Sequence, residues 1–331
     1  MNKIIMTLVL AACAVTGAAA AEPAVDYTPK FHGAVRTRWE LDTEQGDQRF
    51  QVRNARLTME GMVAPWATYF VQTDLSDCGV MKILDAYAQL RIVKGLTFRA
   101  GQFRMPFGIE TFRAPQNYIF ANRSFMGKQI MNYRAVGARL AYTLPKTPLT
   151  LEFGAFNPAT ISSQGGWHNS VAVAGKALWN VGKGFTVSAS YASIKPAALR
   201  ADVVDGAVEW KSRHWLVAAE YMYKHYGSNS DFDPVHSWMA FGQWFTPVKW
   251  GGFNRVAVEG RFDGMTDHIN MTSFAEEAAR NRATIGGTLT YAFKVMHVDI
   301  RLDYEKYFWH KDYTAPVGDS DRLVAALLIR F

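Results

Sequence analysis

The stretch Val298-Asp299-Ile300-Arg301-Leu302-Asp303-Tyr304-Glu305 decides the fold. Val298, Ile300, Leu302 and Tyr304 alternate with Asp299, Arg301, Asp303 and Glu305. A strand places successive side chains on opposite faces, so this one has an apolar face and a face that is entirely charged. A helix would scatter the same residues around its circumference.

The same period recurs along the chain. In Phe31–Leu41, Phe31, Val35, Trp39 and Leu41 oppose His32, Arg36, Arg38 and Glu40. Leu149–Phe156, Val204–Lys211 and Val256–Asp263 repeat it, and Leu323, Ala325, Leu327, Ile329 and Phe331 oppose Arg322 and Arg330. The pattern predicts strands at 31–41, 50–63, 67–74, 82–93, 96–106, 134–144, 149–157, 171–181, 185–195, 203–211, 214–226, 235–246, 254–265, 281–293, 297–309 and 320–331. That is about 16 strands, an even number, as single-chain bacterial barrels have. The segment 50–63 loses phase near Asn54, which signals a bulge. The segment 235–246 is ambiguous as to face.

The connections alternate in length. Tight turns at Lys94-Gly95, Pro145–Pro148, Gly182-Lys183-Gly184, Ser212-Arg213 and Lys294–Met296 alternate with longer polar loops at 42–49, 107–133, 158–170, 227–234, 266–280 and 310–319. Short turns at one end and long loops at the other are the asymmetry of an outer-membrane barrel. Trp66, Tyr142, Trp179, Phe185, Trp210, Trp215, Trp250, Phe253, Tyr291 and Phe293 lie beside the short turns, where a membrane interface places amphipathic rings. A soluble β-sandwich would not need so many long strands with one charged face throughout. The expected fold is therefore all-β: a transmembrane antiparallel barrel with short periplasmic turns, longer external loops and an inward-folded third loop.

Residues 1–21 read as a secretory signal peptide, with Lys3, an apolar Ile4–Ala12 run and small residues at Ala18–Ala21. Residues 22–30 would be a short periplasmic segment and 31–331 the barrel. Leu10-Ala11-Ala12-Cys13 also resembles a lipobox, which leaves lipidation of Cys13 open. If cleavage follows the alanines, Cys78 has no partner for an internal disulfide. No Cys/His spacing suggests a metal, and no cofactor is expected. The localisation implied is the outer membrane of a Gram-negative-type envelope.

If the apolar faces meet lipid, the charged faces line the interior. Arg36, Arg38, Arg91, Arg261 and Arg301 stand for the wall cations. So much charge would be costly in a dry core but not in a water-filled channel, and a barrel of this strand number is wide enough for one. The loop 107–133 is too long and too aromatic (Tyr118, Phe120, Phe125) for a disordered connection, and is expected to fold inward and narrow the channel. Arg113, Arg123 and Lys128 on the loop, with Arg99, Arg134 and Arg139 on the strands beside it, form a candidate constriction favouring anions. The chain carries a net charge of +7. That balance fits this preference, or contact with an anionic leaflet, while many wall cations could instead be paired across strands. Nucleic acid is not an expected partner of a secreted barrel.

Two motifs add a resemblance. Phe50-Gln51-Val52-Arg53-Asn54-Ala55-Arg56-Leu57-Thr58-Met59-Glu60-Gly61 resembles the second strand of the phosphate-selective porin O/P family. Arg99-Ala100-Gly101-Gln102-Phe103-Arg104-Met105-Pro106-Phe107-Gly108-Ile109-Glu110 resembles the GQF-x-x-PFG-x-E stretch entering that family's constriction loop. Phe331 resembles the terminal signal read by the barrel-assembly machinery. The resemblance implies a passive channel for small anions, phosphate among them, or other polar solutes, in a homotrimer embedded in outer-membrane lipids. Competing functions are a saccharide channel, which needs an inner aromatic ladder (Tyr87, Tyr118 and Phe120 are candidates), an adhesin barrel with long external loops, and a membrane-embedded hydrolase. The hydrolase needs a nucleophile in register with a His, and His225, His236 and His297 have no obvious one.

Overall fold

A computed structural model describes residues 25–77, 80–114, 117–197, 199–227, 231–271, 273–310 and 320–331. The expected signal peptide, Cys13, Cys78 and most of the loop 310–319 lie outside the described residues. The strands are β1 (Lys30–Asp42), β2 (Gln48–Ala64), β3 (Ala67–Asp77), β4 (Val80–Val93), β5 (Leu96–Arg104), β6 (Arg134–Thr143), β7 (Leu149–Phe156), β8 (Ala172–Gly182) and β9 (Phe185–Ile194). They continue with β10 (Ala201–Lys211), β11 (Trp215–Tyr226), β12 (Val235–Trp250), β13 (Phe253–Met265), β14 (His268–Ile269), β15 (Glu276–Glu277), β16 (Arg280–Phe293), β17 (Met296–Trp309) and β18 (Arg322–Arg330).

Each expected strand forms, and together they close into one antiparallel barrel with β1 hydrogen-bonded to β18. The short pair β14–β15 makes a separate two-stranded sheet inside the β13–β16 connection. The phase loss near Asn54 is a bulge. Arg36 pairs with Asn54 and Thr37 with Val52, which leaves Arg53 as the extra residue of β2.

The faces sort as the alternation requires. In β17, Asp299, Arg301, Asp303 and Glu305 are buried, whereas Ile300, Leu302 and Tyr304 are exposed. Charge inside and hydrocarbon outside inverts the pattern of a soluble protein, and only a lipid solvent favours it. Strand β12 was ambiguous because both its faces are apolar. Val235, Met239 and Phe241 point inward and are buried, while Trp238, Ala240 and Trp244 take the alternate, outer positions.

The tight turns close one end. At Gly184 the φ is +85°, and a Cβ there would meet the Lys211 carbonyl oxygen at 1.9 Å, so glycine is required. Trp66, Tyr142, Trp179, Phe185, Trp215, Trp250, Tyr291 and Phe293 are exposed at that end. Nearer the long loops, Tyr191 donates its hydroxyl to Asp202 at 2.7 Å, and Tyr221 hydrogen-bonds His236 at 2.5 Å. Two levels of amphipathic rings thus flank an apolar band.

The barrel seam ends on Phe331. Its backbone exchanges two hydrogen bonds with Gly33, of 2.8 and 3.1 Å, and its ring lies over Gly33, where a Cβ would come within 2.1 Å of the ring. Gly33 is therefore the seat for the terminal aromatic. Substituting Gly33→Val displaces that ring and destabilises the seam by about 1–3 kcal/mol, the usual cost of overpacking. The check is a lower urea midpoint, with a larger unfolded band on an unheated gel.

The small outer sheet carries a second testable feature. Ile269 of β14 accepts from and donates to the Tyr226 hydroxyl, at 3.0 and 2.9 Å. Beside it, His268 is buried, and neither ring nitrogen has a hydrogen-bond partner among the described residues. Burial first, then the charges of Lys224 and Arg280, push its pKa down from 6.5 to about 3. The folded protein holds this ring neutral while the unfolded chain protonates it. Stability is therefore lost as pH falls from 6.5 towards about 3. His268→Gln should flatten that part of an acid-unfolding curve.

Candidate functional site: a basic vestibule over an inward-folded loop

The connection from β5 to β6, residues 105–133, folds into the barrel. Met105, Phe107, Phe120, Phe125, Met126, Ile130 and Met131 are all buried. They pack on one side of the wall, where Ala172, Ala174, Ala192, Ala201, Ala218, Val203, Met222, Val235, Met239 and Met265 make an apolar inner surface. Alanines there leave the room that the loop's aromatic rings occupy. The Phe120 and Phe241 ring centroids are 6.0 Å apart at 80°, and those of Phe125 and Tyr307 are 6.2 Å apart at 71°. Burying one such ring contributes about 1.5–3 kcal/mol. A short 3-10 turn at Glu110–Phe112 and a π-helical turn at Met126–Ile130 organise the chain between these contacts.

A buried loop must also satisfy its backbone polar groups, and the wall does this with charged side chains. Glu220 accepts from the amides of Ile109 and Glu110 at 3.1 and 2.8 Å. Ser190 accepts from Gly108. Asp303 accepts from Ala121 at 2.6 Å, and Asp263 accepts from Phe125 at 2.9 Å. Arginines take the carbonyls: Arg36 donates to Ala121, Arg261 to Asn122, Arg282 to Arg123 and Arg301 to Tyr118, at 2.7–3.0 Å.

The anchoring charges form one network. Glu40 joins Arg49, Arg38 and Arg322; Arg322 reaches Glu305; Glu305 and Asp263 share Arg282 and Arg261. Asp263, Asp303 and Glu305 are each 0% exposed. Of the two readings of the wall charge, hydrated or paired across strands, these contacts follow the second. Arg36, Arg261 and Arg301 hold the loop, and Arg38 pairs with Glu40 and donates to Gln51 and Asn122. Arg91 is the exposed exception, near the Lys94-Gly95 turn.

The six candidate constriction residues divide into two groups. Arg123, Lys128 and Arg134 line a cavity of about 900 Å³ that opens among β1, β2, the upper part of β4 and the loop. Arg99, Arg113 and Arg139 are not among its lining residues, and each is engaged elsewhere. Arg113 pairs with Glu110 and Glu209 and lies over the Phe241 ring. Arg139 pairs with Glu152. Arg99 stacks 3.9 Å from the Tyr87 ring centroid and donates to Gln89.

The cavity holds cations that the sequence did not single out as a group. Among the described residues, its basic lining consists of Arg36, Arg38, Arg49, Arg53, Arg56, Lys82, Arg104, Arg123, Lys128, Arg134, Arg282 and Arg322, and its one acidic lining residue is Asp74. Asp74 is saturated. It accepts from Arg56, Asn54, Ser76 and the amide of Ala55. The available signal was the bulge. It turns both Arg53 and Arg56, three positions apart, towards the same cavity, which an unbroken alternation would not do. Of the possible saccharide ladder, Phe120 and Tyr118 are 4% and 7% exposed. Guanidiniums lie over both rings, and Arg99 lies over that of Tyr87.

The sequence profile of the family described as "Putative beta-barrel porin-2, OmpL-like" matches residues 61–331. No curated protein matches significantly in sequence. Among solved structures, the chain is similar to an anion-selective porin from Comamonas acidovorans, with TM-score 0.63 and 12% identity over 92% of this chain and 98% of that one. It is similar to Salmonella typhi OmpF in complex with daunomycin, with TM-score 0.65 and 15% identity over 92% and 97%. It is also similar to the trimer form of Vibrio cholerae OmpT, an outer membrane protein, with TM-score 0.62 and 12% identity over 92% and 98%. At these identities the likeness is one of fold. The resemblance of the two motifs to phosphate-selective porins holds at the level of a porin.

The network predicts how the loop fails. Asp263→Ala removes the acceptor of the Phe125 amide and one partner each of Arg261 and Arg282, leaving buried charge uncompensated. The expected loss is about 3–5 kcal/mol of stability. Chemical denaturation measures it, and faster proteolysis within 105–133 of the folded protein would place the damage at the loop.

Proposed function

The chain belongs to the OmpL-like β-barrel porin-2 family, and on that premise we propose that it is an outer-membrane porin passing small polar solutes with a preference for anions. One observation supports this reading: among the described residues, the cavity above the inward-folded loop has twelve basic lining residues and one acidic one, Asp74, which accepts four hydrogen bonds. Low-dielectric walls focus such a field, raising the local concentration of anions and depleting cations. Inorganic phosphate is within the class of anions admitted. Solute passage is passive, with no catalytic residue, cofactor or metal. Partners are the surrounding lipids, the assembly machinery that reads Phe331, and two further copies in a homotrimer, the last supported by the trimeric Vibrio cholerae protein of like fold. Export by a cleaved signal at 1–21 completes the localisation to the outer membrane.

The saccharide alternative is less well supported, because the faces of Tyr87, Tyr118 and Phe120 are occupied by guanidiniums. A hydrolase reading has little to draw on, since His236 spends its Nδ1 on the Tyr221 hydroxyl.

Single-channel recording of the purified protein in a potassium chloride gradient tests the proposal. The reversal potential should report anions as the more permeant species. Replacing Arg53 and Arg123 together with Ala should move it towards cations by several millivolts, because exposed or carboxylate-free charge sets the field. Arg113→Ala should move it less, since Arg113 is already paired with two carboxylates. Absence of any conductance would refute the channel.

A further inference from the structure

The outer face of β10–β13 is unevenly filled. Cross-strand pairing puts Val208, Ala219, Ala240 and Phe262 in one row, and Trp210, Val217, Gly242 and Gly260 in the next. Ala219, Ala240, Gly242 and Gly260 have little or no side chain, so the centre of the two rows is a depression. It forms a groove of about 470 Å³ on the lipid side of the wall. Phe185, Trp210 and Phe262 stand at its sides, with the Phe185 and Trp210 ring centroids 6.0 Å apart.

A Cβ added at Gly242 would meet nothing within 4 Å, and one at Gly260 only a carbonyl oxygen at 3.9 Å. Neither glycine has a positive φ, so the backbone does not require glycine at either position. The floor is low although larger side chains fit there. In a bilayer such a groove does not stay empty, because a gap forfeits dispersion contacts along its lining. A flexible hydrocarbon chain is the shape that fills it.

The end of the groove nearest the tight turns is basic. Phe185 follows Gly182-Lys183-Gly184, and Trp210 precedes Lys211-Ser212-Arg213-His214. The Lys211 amide donates to the Gly184 carbonyl at 2.9 Å, which holds these two turns side by side. The Phe245 amide donates to the His214 carbonyl at 2.9 Å and ties in β12, whose end carries Lys249. Lys183, Lys211, Arg213 and Lys249 are all exposed, and the three turns hold no Asp or Glu. None of the four pairs with a carboxylate among the described residues. Lys183 has a φ of +51°, a left-handed conformation in which glycine or asparagine costs less. Its charge is carried at a hairpin tip, beside rings at the level where headgroups begin.

An apolar groove with a basic mouth at the membrane interface matches an anionic phospholipid. We propose that the outer face of β10–β13 binds one anionic phospholipid of the periplasmic leaflet, with an acyl chain in the groove between Trp210 and Phe262 and the headgroup phosphate at Lys183 and Arg213. Charge-assisted hydrogen bonds hold the phosphate, and Lys211 and Lys249 add to the attraction. A zwitterionic lipid offers the same chain and phosphate, but its own ammonium competes for the phosphate, so net charge sets the preference. Occupancy needs only that the barrel lies in a bilayer and is independent of conduction.

The test is native mass spectrometry of the folded protein in a non-ionic detergent, titrated with phosphatidylglycerol or phosphatidylcholine. One phosphatidylglycerol should bind saturably, at least roughly tenfold tighter than phosphatidylcholine. Gly242→Leu, which occupies the groove, should weaken phosphatidylglycerol binding roughly tenfold. Lys183→Gln combined with Arg213→Gln should bring it near the phosphatidylcholine level. Gly206→Leu puts the same side chain on the same outer face but outside the groove, where a Cβ also meets nothing within 4 Å. Lys94→Gln removes a cation from a turn away from the groove. Both should bind as the wild type does. An unheated gel checks that each variant keeps its barrel.

Equal retention of the two lipids by the wild type, or equal loss in Gly206→Leu and Gly242→Leu, overturns the site. So does undiminished binding by the double charge variant. A wild-type oligomer that Gly242→Leu dissociates would show that a second copy of the chain, not lipid, covers the groove. The titration is separate from the conductance measurement, so failure of the channel leaves the site standing, and failure of the site leaves the channel.

Discussion

A loop of polypeptide cannot be placed inside a barrel unless its backbone hydrogen bonds are met there, and this requirement shapes the interior. Residues 105–133 bring amides and carbonyls into a space where the wall, not water, must satisfy them. Glu220, Asp263 and Asp303 take amides; Arg36, Arg261, Arg282 and Arg301 take carbonyls. Groups of both signs are needed because a peptide has both a donor and an acceptor. The nearly balanced charge of the inner wall follows from this. It is a scaffold for the loop before it is an electrostatic filter.

The loop in turn divides the lumen. On the side of β8–β13 the inner wall carries an apolar patch, which the loop's aromatic rings fill, beside the charged anchors Glu220, Arg261 and Asp263. On the side of β1, β2 and β4 the loop leaves an open basic cavity. An inner face that is apolar in one sector and charged in another is unusual only if the barrel is imagined empty. With the loop in place, the apolar patch is part of a packed core, and the open cavity lies on the other side of the loop. Under the proposed channel reading, the cations that bear on passage are those without a carboxylate partner. Arg113 sits on the loop itself but is neutralised by Glu110 and Glu209, whereas Arg53 sits on the wall, lines the cavity and pairs with no carboxylate among the described residues.

The barrel wall meets its own constraint at the seam. A chain that closes a sheet on itself must bring its first and last strands together, and here Gly33 gives up its side chain so that the terminal Phe331 can lie flat against β1. The terminal aromatic is thus seated in the folded barrel. The bulge at Arg53 works in the same local way. One extra residue in β2 shifts the strand's phase, and basic residues on both sides of it reach one cavity.

The sequence by itself determined the sixteen strands, their inner and outer faces, the two ends of the barrel, the bulge near Asn54 and the inward course of the third loop. These depend on local rules: a period of two, turn residues at fixed positions, and the cost of leaving a long aromatic loop in water. β12 was the exception, because Met239 and Phe241 are apolar for the loop's sake and Trp238 and Trp244 are apolar for the lipid's, so alternation carried no signal there. Only the tertiary structure decided which cations are free. Arg113 and Arg53 look equally available in the chain, yet one meets Glu209, 96 positions away, and the other meets no carboxylate among the described residues. Such partnerships are set by barrel register and by where the loop crosses the lumen. Both are long-range geometry, and no local pattern of residue types encodes them.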